Sequence, residues 1–237
     1  MQIDVVTAFP GMVEGPLGFS IVRRAREAGL VDVRVHDLRD YTVDRHKKID
    51  DTPYGGGGGM VLMPEPLFAA VEALRGAVSE AGTRTILFCP QGQRYDQETA
   101  RRLAGFDRLI LLCGRYEGVD ERVREHLADE SISIGDYVLT GGEIPALVLI
   151  DSITRLLPGA LGDAEATRHD TFSEGMFDFP QYTRPADFRG HRVPEILLSG
   201  DHARIEAWRR ERALEKTARD RPDLLTGSDR GKATREH

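Results

Sequence analysis

The chain has 237 residues, 40% of them apolar and 30% charged, and a formal net charge of -7. That length serves one large domain or a medium domain with a small one, and the acidic balance excludes a uniformly basic nucleic-acid coat while leaving room for local basic surfaces. No apolar run reaches the roughly 18 residues of a membrane span, and MQIDVVTAFP lacks the basic start and apolar core of an export signal, so the cytoplasm is the expected compartment.

Through residue 157 the chain alternates strand-like and helix-like segments. IDVVTAF (3–9) and VDVRV (31–35) read as the first strands. Next comes DDTPYGGGGGM (50–60), whose glycines at 55–59 allow two readings. They form either a slack tether between domains or a side-chain-free surface that something approaches closely, because a residue without Cβ permits both. Leu67, Phe68, Val71, Leu74 and Val78 recur at three- and four-residue spacing, predicting a helix over 66–78. TILFC (85–89), LILLC (109–113) and ISIGDYVL (132–139) predict three more strands. Cys89 and Cys113 lie in the first two of these runs and read as small, reduced core residues. A further helix is expected from about Ile144 to Leu157, ended by Pro158-Gly159. Strands alternating with helices predict an α/β domain whose mostly parallel sheet is covered on both faces.

After Gly159 the character changes. ALGDAEATRHDTFSEG (160–175) is small and polar, a linker or an ordered loop; FDFPQYTRP brings aromatic and proline punctuation. A helix over about 202–219 carries Ile205, Trp208 and Leu214. Between 204 and 221 seven basic residues face four acidic ones. This reads as a solvated face laced with ion pairs, or as an RNA-contacting face acting with Arg184, Arg189, His191, Arg192 and the RHKK of 45–48. The polar tail after Leu225 reads as disordered.

Three predicted strands run into glycine-bearing loops: PQGQ (90–93), GRYEGVDERV (114–123) and TGGEIP (140–145). Open α/β sheets bind ligands at the carboxyl ends of their strands, so these loops predict one crevice lined by main-chain groups, suited to a nucleoside-containing ligand. No GxGxxG follows the first strand and no Walker loop is present. Gly55, Gly57 and Gly59 match a GxGxG only formally, since the charged HKKIDDTPY precedes them. The histidines show no metal-ligand spacing, and no structural or catalytic zinc site is expected.

DDTPYGGGGGM, PQG, GRYEGVDERV, SIGDYVLTGGE, DSITRLLPG, HDTF, QYTRP and LLSGDHARIEAWR occur in this order, from the first strand to about Leu225. Together they resemble the bacterial tRNA (guanine-N1) methyltransferases of the trefoil-knotted (SPOUT) superfamily. The resemblance implies a deep knot, which chain-connection rules alone discard. It further implies a knotted S-adenosylmethionine-binding domain over 1–160, a linker over 161–175 and a small, mainly helical tRNA-binding domain over 176–237. A homodimer with the active site at the subunit interface, tRNA as substrate and a Mg2+ requirement also follow from it. So does a donor pocket of Leu87, Pro90, Gln91 and Gly92, then Gly114, Tyr116 and Glu117. Ile134, Gly135, Asp136, Tyr137, Val138 and Leu139 continue that pocket, and Gly141, Gly142 and Pro145 close it.

The same resemblance casts Asp170 as the base and Arg155 as its catalytic partner, with Asp50 and Gly59 against the target guanine. The chemistry suits these residue types. N1 of guanine carries a proton that a carboxylate must remove before the lone pair can accept a methyl group. The charge then developing on O6 is stabilised by a guanidinium. His169 is the nearest competitor as base. Gly58 stands where relatives often have proline or alanine, Cys89 where serine is common, and Thr171 in place of serine. Other readings stay open: methylation at another RNA position, a non-catalytic RNA-binding protein, or a nucleotide-dependent oxidoreductase lacking its usual fingerprint.

Overall fold

The computed structural model describes residues 1–76, 82–162, 170–173 and 175–226. Val78, His169, most of the 161–175 segment and the tail beyond 226 lie outside the described residues. The chain divides into two units, residues 1–164 and 165–237.

Unit 1 runs β1 (Gln2–Thr7), α1 (Pro10–Glu14), α2 (Ser20–Glu27), β2 (Asp32–Asp37), β3 (Asp50–Asp51), β4 (Val61–Leu62), α3 (Pro64–Arg75) and β5 (Thr83–Arg94). It continues through α4 (Gln97–Ala104), β6 (Arg108–Cys113), α5 (Glu121–His126), β7 (Glu130–Ser133) and α6 (Glu143–Thr154). Among the described residues, five strands form a parallel central sheet in the order β2-β1-β6-β5-β7. Every residue of β6 is buried, as befits a strand covered on both faces. Its side chains alternate: Leu109, Leu111 and Cys113 join Ile3, Val5, Leu149 and Ile153 on one face, while Ile110 and Leu112 join Val6, Leu67 and Val123 on the other. Burying each such leucine or isoleucine contributes about 1.5–3 kcal/mol, and the two layers fix which face each helix covers.

Local signals set the element ends. The Asp96 carboxylate accepts the Thr99 N–H at 2.8 Å to start α4, and Asp120 accepts the Arg122 N–H at 3.0 Å to start α5. The strand expected over 132–139 stops at Ser133. There Gly135 takes φ +153° and its N–H is held 3.3 Å from Ser133 Oγ, so the chain leaves the sheet in a side-chain-locked turn.

The sheet also buries a charge cluster. Asp4 of β1 is fully buried and accepts from Arg108 Nε at 2.7 Å and Gln2 Nε2 at 2.9 Å. It also pairs with His36 Nε2 at 2.8 Å, and the Tyr41 hydroxyl meets His36 Nδ1 at 3.1 Å. Burial opposes the Asp4 charge, but the hydrogen bonds from His36 and Arg108 more than offset it and hold the carboxyl below its ordinary value.

Unit 2 contains β8 (Asp187–Phe188) and β9 (His191–Arg192), an antiparallel pair, followed by α7 (His202–Asp220) and α8 (Asp223–Thr226). The Asp201 side chain accepts the Arg204 N–H at 3.1 Å to start α7. Thr217 of α7 accepts the Phe177 N–H at 2.9 Å while donating to the Ala213 carbonyl at 2.7 Å, tying the 170–178 segment to the helix.

Candidate active site

In unit 1 the ends of β5, β6 and β7 converge on a cavity of about 410 Å³, a size typical of small-molecule sites. Between Phe88 and Gln93, both opposite Ile132, β5 bows away from β7. Leu87, on the regular strand just before this bow, and Pro90 and Gln91 within it line the cavity. Gly92 does not line it; a Cβ there would lie 2.5 Å from the Ile132 nitrogen, so glycine lets two backbones touch.

Gly114, Tyr116 and Glu117 line the cavity from the end of β6. Tyr116 holds φ +61°, a left-handed conformation costing a non-glycine residue about 1–2 kcal/mol. From the turn after β7 come Ile134, Gly135, Tyr137, Val138 and Leu139; Asp136 is exposed and not among the lining residues. Gly141, Gly142 and Pro145 complete the wall. The Gly142 N–H donates to the Gly114 carbonyl at 2.9 Å, and a Cβ on Gly142 would lie 2.6 Å from the Cys113 Cα. The two loops are therefore clasped main chain to main chain.

Charged groups that sequence reasoning left unassigned also reach the cavity: Arg115, Glu121 and Arg124. Arg115 is held from two sides. Its guanidinium lies 4.3 Å from the Phe9 ring centroid, and its Nη1 donates to Glu143 Oε2 at 3.3 Å. Glu143 is fully buried, and its Oε1 accepts the Thr7 hydroxyl at 2.7 Å across 136 positions of sequence. Spacing gives no signal for a contact of that range. Cys113 is buried and its thiol is pushed well up by burial and by the neighbouring Glu143, which leaves it inert. Cys89 is half-buried and lines the cavity, unlike the core residue expected.

The glycine run closes the β3–β4 ladder, with Asp50 opposite Leu62 and Asp51 opposite Val61. Both ends of the run belong to unit 1, so it is not a tether between the units. The ladder is spliced to the cavity loop: Glu117 N–H donates to the Met60 carbonyl and Leu62 N–H to the Gly118 carbonyl, each at 3.0 Å. Gly55, Gly56, Gly57 and Gly59 all take positive φ. A Cβ at Gly59 alone of these would strike another part of the chain, the Glu117 side chain. Asp50, opposite Leu62 on the ladder, is half-buried.

Arg155 ends α6, half-buried, its N–H donating to the Asp151 carbonyl at 3.3 Å. Asp170, in unit 2, opens a turn in which its carbonyl accepts the Ser173 N–H at 2.9 Å. The basic groups expected to meet RNA are largely engaged. Lys47 pairs with Asp40 and Lys48 with Asp51, each at 2.8 Å. On α7, Arg209, Arg212, Lys216 and Arg219 pair with carboxylates, as does Arg221 beyond it. Arg204 and Arg210 have no ion pair among the described residues. Exposed pairs of this kind contribute about 0–1 kcal/mol, so a phosphate can displace the carboxylate.

A family model described as tRNA (Guanine-1)-methyltransferase TrmD matches residues 1–227. The chain is 56% identical over 225 residues to a tRNA (guanine-N(1)-)-methyltransferase of Brevibacillus brevis, covering 95% of this chain and 91% of that protein. It is 55% identical over 227 residues to the like-named protein of Halalkalibacterium halodurans, covering 96% and 92%. With that of Geobacter sulfurreducens it shares 51% over 236 residues, covering 100% and 96%. Identity above half, sustained along nearly the whole of both partners in each comparison, means that the chain belongs to the tRNA (guanine-N1)-methyltransferase family.

Proposed function

We propose that this protein transfers a methyl group from S-adenosylmethionine to N1 of the guanine immediately 3′ of the anticodon in tRNA. Family membership supports the reaction, and the observation that carries the site is the convergence of three strand-end loops on one cavity. The cavity fits the donor: its walls combine apolar Leu87, Ile134, Leu139 and Pro145 with main-chain groups of the clasped glycine loops and the carboxylate of Glu117. When bound, S-adenosylmethionine supplies an electrophilic methyl group. The chain's own residues do the rest. Asp170 accepts the N1 proton, Arg155 stabilises the charge developing at O6, and Asp50 with the wall at Gly59 orients the base.

The finer architecture belongs to the same proposal. The trefoil knot is supported by the clasp between Gly142 and Gly114 and by the close approach of the Gly92 backbone to Ile132 of β7. Residues 1–160 form the donor domain, 161–175 the linker bearing Asp170, and 176–237 the tRNA-binding domain. A homodimer with its active site at the subunit interface has support in the exposed Phe19 and in Ile144 and Val148, one turn apart on α6. No described helix is long and apolar enough to cross a membrane, and the cytoplasm is the proposed compartment. Magnesium rests on the resemblance alone; no group of three or more His, Cys, Asp or Glu able to hold a metal occurs among the described residues, and no step is assigned to it.

Methyl transfer to unmodified tRNA bearing guanine, inosine or adenine after the anticodon tests the reading. Guanine and inosine, which carry N1–H beside O6, are expected to accept the methyl group and adenine to refuse it. Transfer to none of them, or calorimetry showing no donor binding, overturns it.

A further inference from the structure

We infer that unit 2 carries a pocket for one unstacked nucleobase of the RNA substrate, other than the base that is methylated; the inference rests on the RNA reading above. A cavity of about 560 Å³ opens between residues 179–186 and α7, ample for a nucleotide. Two of its walls are already stacked on each other: the Arg209 guanidinium lies 4.5 Å from the Phe179 ring centroid. A guanidinium covered on one face by an aromatic ring presents on the other a flat, weakly hydrated cation, a surface on which bases stack. Stacking, rather than hydrogen bonding, holds this one in place. Its nearest ion-pair contact, to Glu206, is at 4.0 Å, and its Nε is buried without a hydrogen-bond partner. Tyr182, half exposed, adds a second ring to the lining.

Charge identifies the occupant. The lining includes Arg184 and His202, and Glu206 is its one carboxylate. Arg184 has no ion pair among the described residues, and neither have Arg189 and His191 on the adjoining β8–β9 hairpin. Arg189 lies 5.2 Å from the centroid of the exposed Phe188 ring. Three of the uncommitted cations of this unit thus lie at the aromatic pocket or on the hairpin next to it, whereas on α7 all but Arg204 and Arg210 of the arginines and lysines already have carboxylates. An apolar peptide has no use for them. A nucleotide places its base in the pocket and its phosphates against these cations.

The test uses a native probe. The chain has one tryptophan, Trp208, whose ring centroid is 6.4 Å from that of Tyr182. Titrating the full-length protein with an anticodon stem-loop RNA is expected to change Trp208 fluorescence saturably. Tyr182→Ala should weaken that response and raise KM for tRNA about tenfold, while Tyr182→Phe, which keeps the ring, restores both. Donor affinity by calorimetry should not change, and circular dichroism confirms that each variant is folded. An unmoved Trp208, or a Tyr182→Ala variant with wild-type KM, overturns the pocket. A response to free guanosine or adenosine monophosphate as strong as that to RNA overturns the RNA assignment. The two readings fail separately: wild-type methyl transfer with an inert Tyr182→Ala sinks the pocket alone, and a Trp208 response without transfer to tRNA sinks the proposed reaction alone.

Discussion

Gly59 and Glu117 meet so closely that a Cβ on the glycine would lie 2.5 Å from the glutamate Cγ. The glycine run and the cavity loop after β6 are thereby one surface, joined also through the Met60 carbonyl and the Glu117 N–H. A side chain at position 59 can be added only by moving Glu117. Gly59→Ala also has to hold φ +81°, which costs about 1–2 kcal/mol. Steady-state kinetics should show kcat/KM for tRNA lowered about tenfold or more by these combined costs. Gly58→Ala is the control: nothing lies within 4 Å of its Cβ, and activity within about twofold of wild type is expected. Equal losses from both variants would disprove the contact argument.

Gly142→Ala addresses the clasp of the loops. The new Cβ would meet the Cys113 Cα at 2.6 Å and the Gly114 nitrogen at 3.0 Å. These are backbone atoms without rotamers, so the loops must separate. Overpacking of this kind costs about 1–3 kcal/mol, and the thermal midpoint should drop by several degrees. Calorimetry should also show donor affinity falling with it. A variant of wild-type stability that still binds the donor would mean the clasp is not required.

Asp170→Asn removes the proposed base while preserving the shape of the side chain. Turnover should fall about 10²–10⁴-fold, the usual contribution of general-base catalysis, with donor affinity unchanged by calorimetry. Undiminished methylation would move the role to His169.

The buried Asp4 makes stability depend on pH. Its carboxyl titrates below the ordinary value of 3.8 in the folded state, so the unfolded chain binds the proton first. The stabilisation is complete above that ordinary value and is lost as the pH falls through the lower folded one. Urea unfolding from pH 7 down to pH 3 should therefore show wild-type stability dropping at the acid end. In Asp4→Asn the acid-end drop should shrink. At pH 7 that variant should be less stable by about 3–5 kcal/mol, because Arg108, only 7% exposed, is left without its counter-charge. Parallel pH profiles for the two proteins would exclude Asp4 as a source of the acid sensitivity.

Much of unit 1 was legible because its signals are local. Five short apolar runs became the five parallel strands, and the spacing of Leu67, Phe68, Val71 and Leu74 became α3, Pro64–Arg75. The overreach at 134–139 has an equally local cause: Ile134, Tyr137, Val138 and Leu139 have strand propensity, but Gly135 and the Ser133 hydroxyl bend the backbone out of the sheet. Periodicity missed β3–β4 and β8–β9 because two-residue ladders leave no pattern. The seven cations and four acids counted over 204–221 leave the segment net positive, and four of those cations, Arg209, Arg212, Lys216 and Arg219, face carboxylates on the same helix, a pairing that composition does not reveal.

By itself the sequence determined the parallel α/β layering, the glycine-bearing strand ends and, through ordered motifs, the family. These depend on the side-chain period within a strand or helix and on runs of neighbouring residues, and both are complete within a dozen positions. Only the tertiary structure decided that Gly59 abuts Glu117, that Glu143 bridges Thr7 and Arg115, and that Asp4 is sealed in with Arg108. Such contacts depend on strand order and register, which bring together residues tens to more than a hundred positions apart. No local pattern records which distant backbone will occupy the space that a missing side chain leaves open.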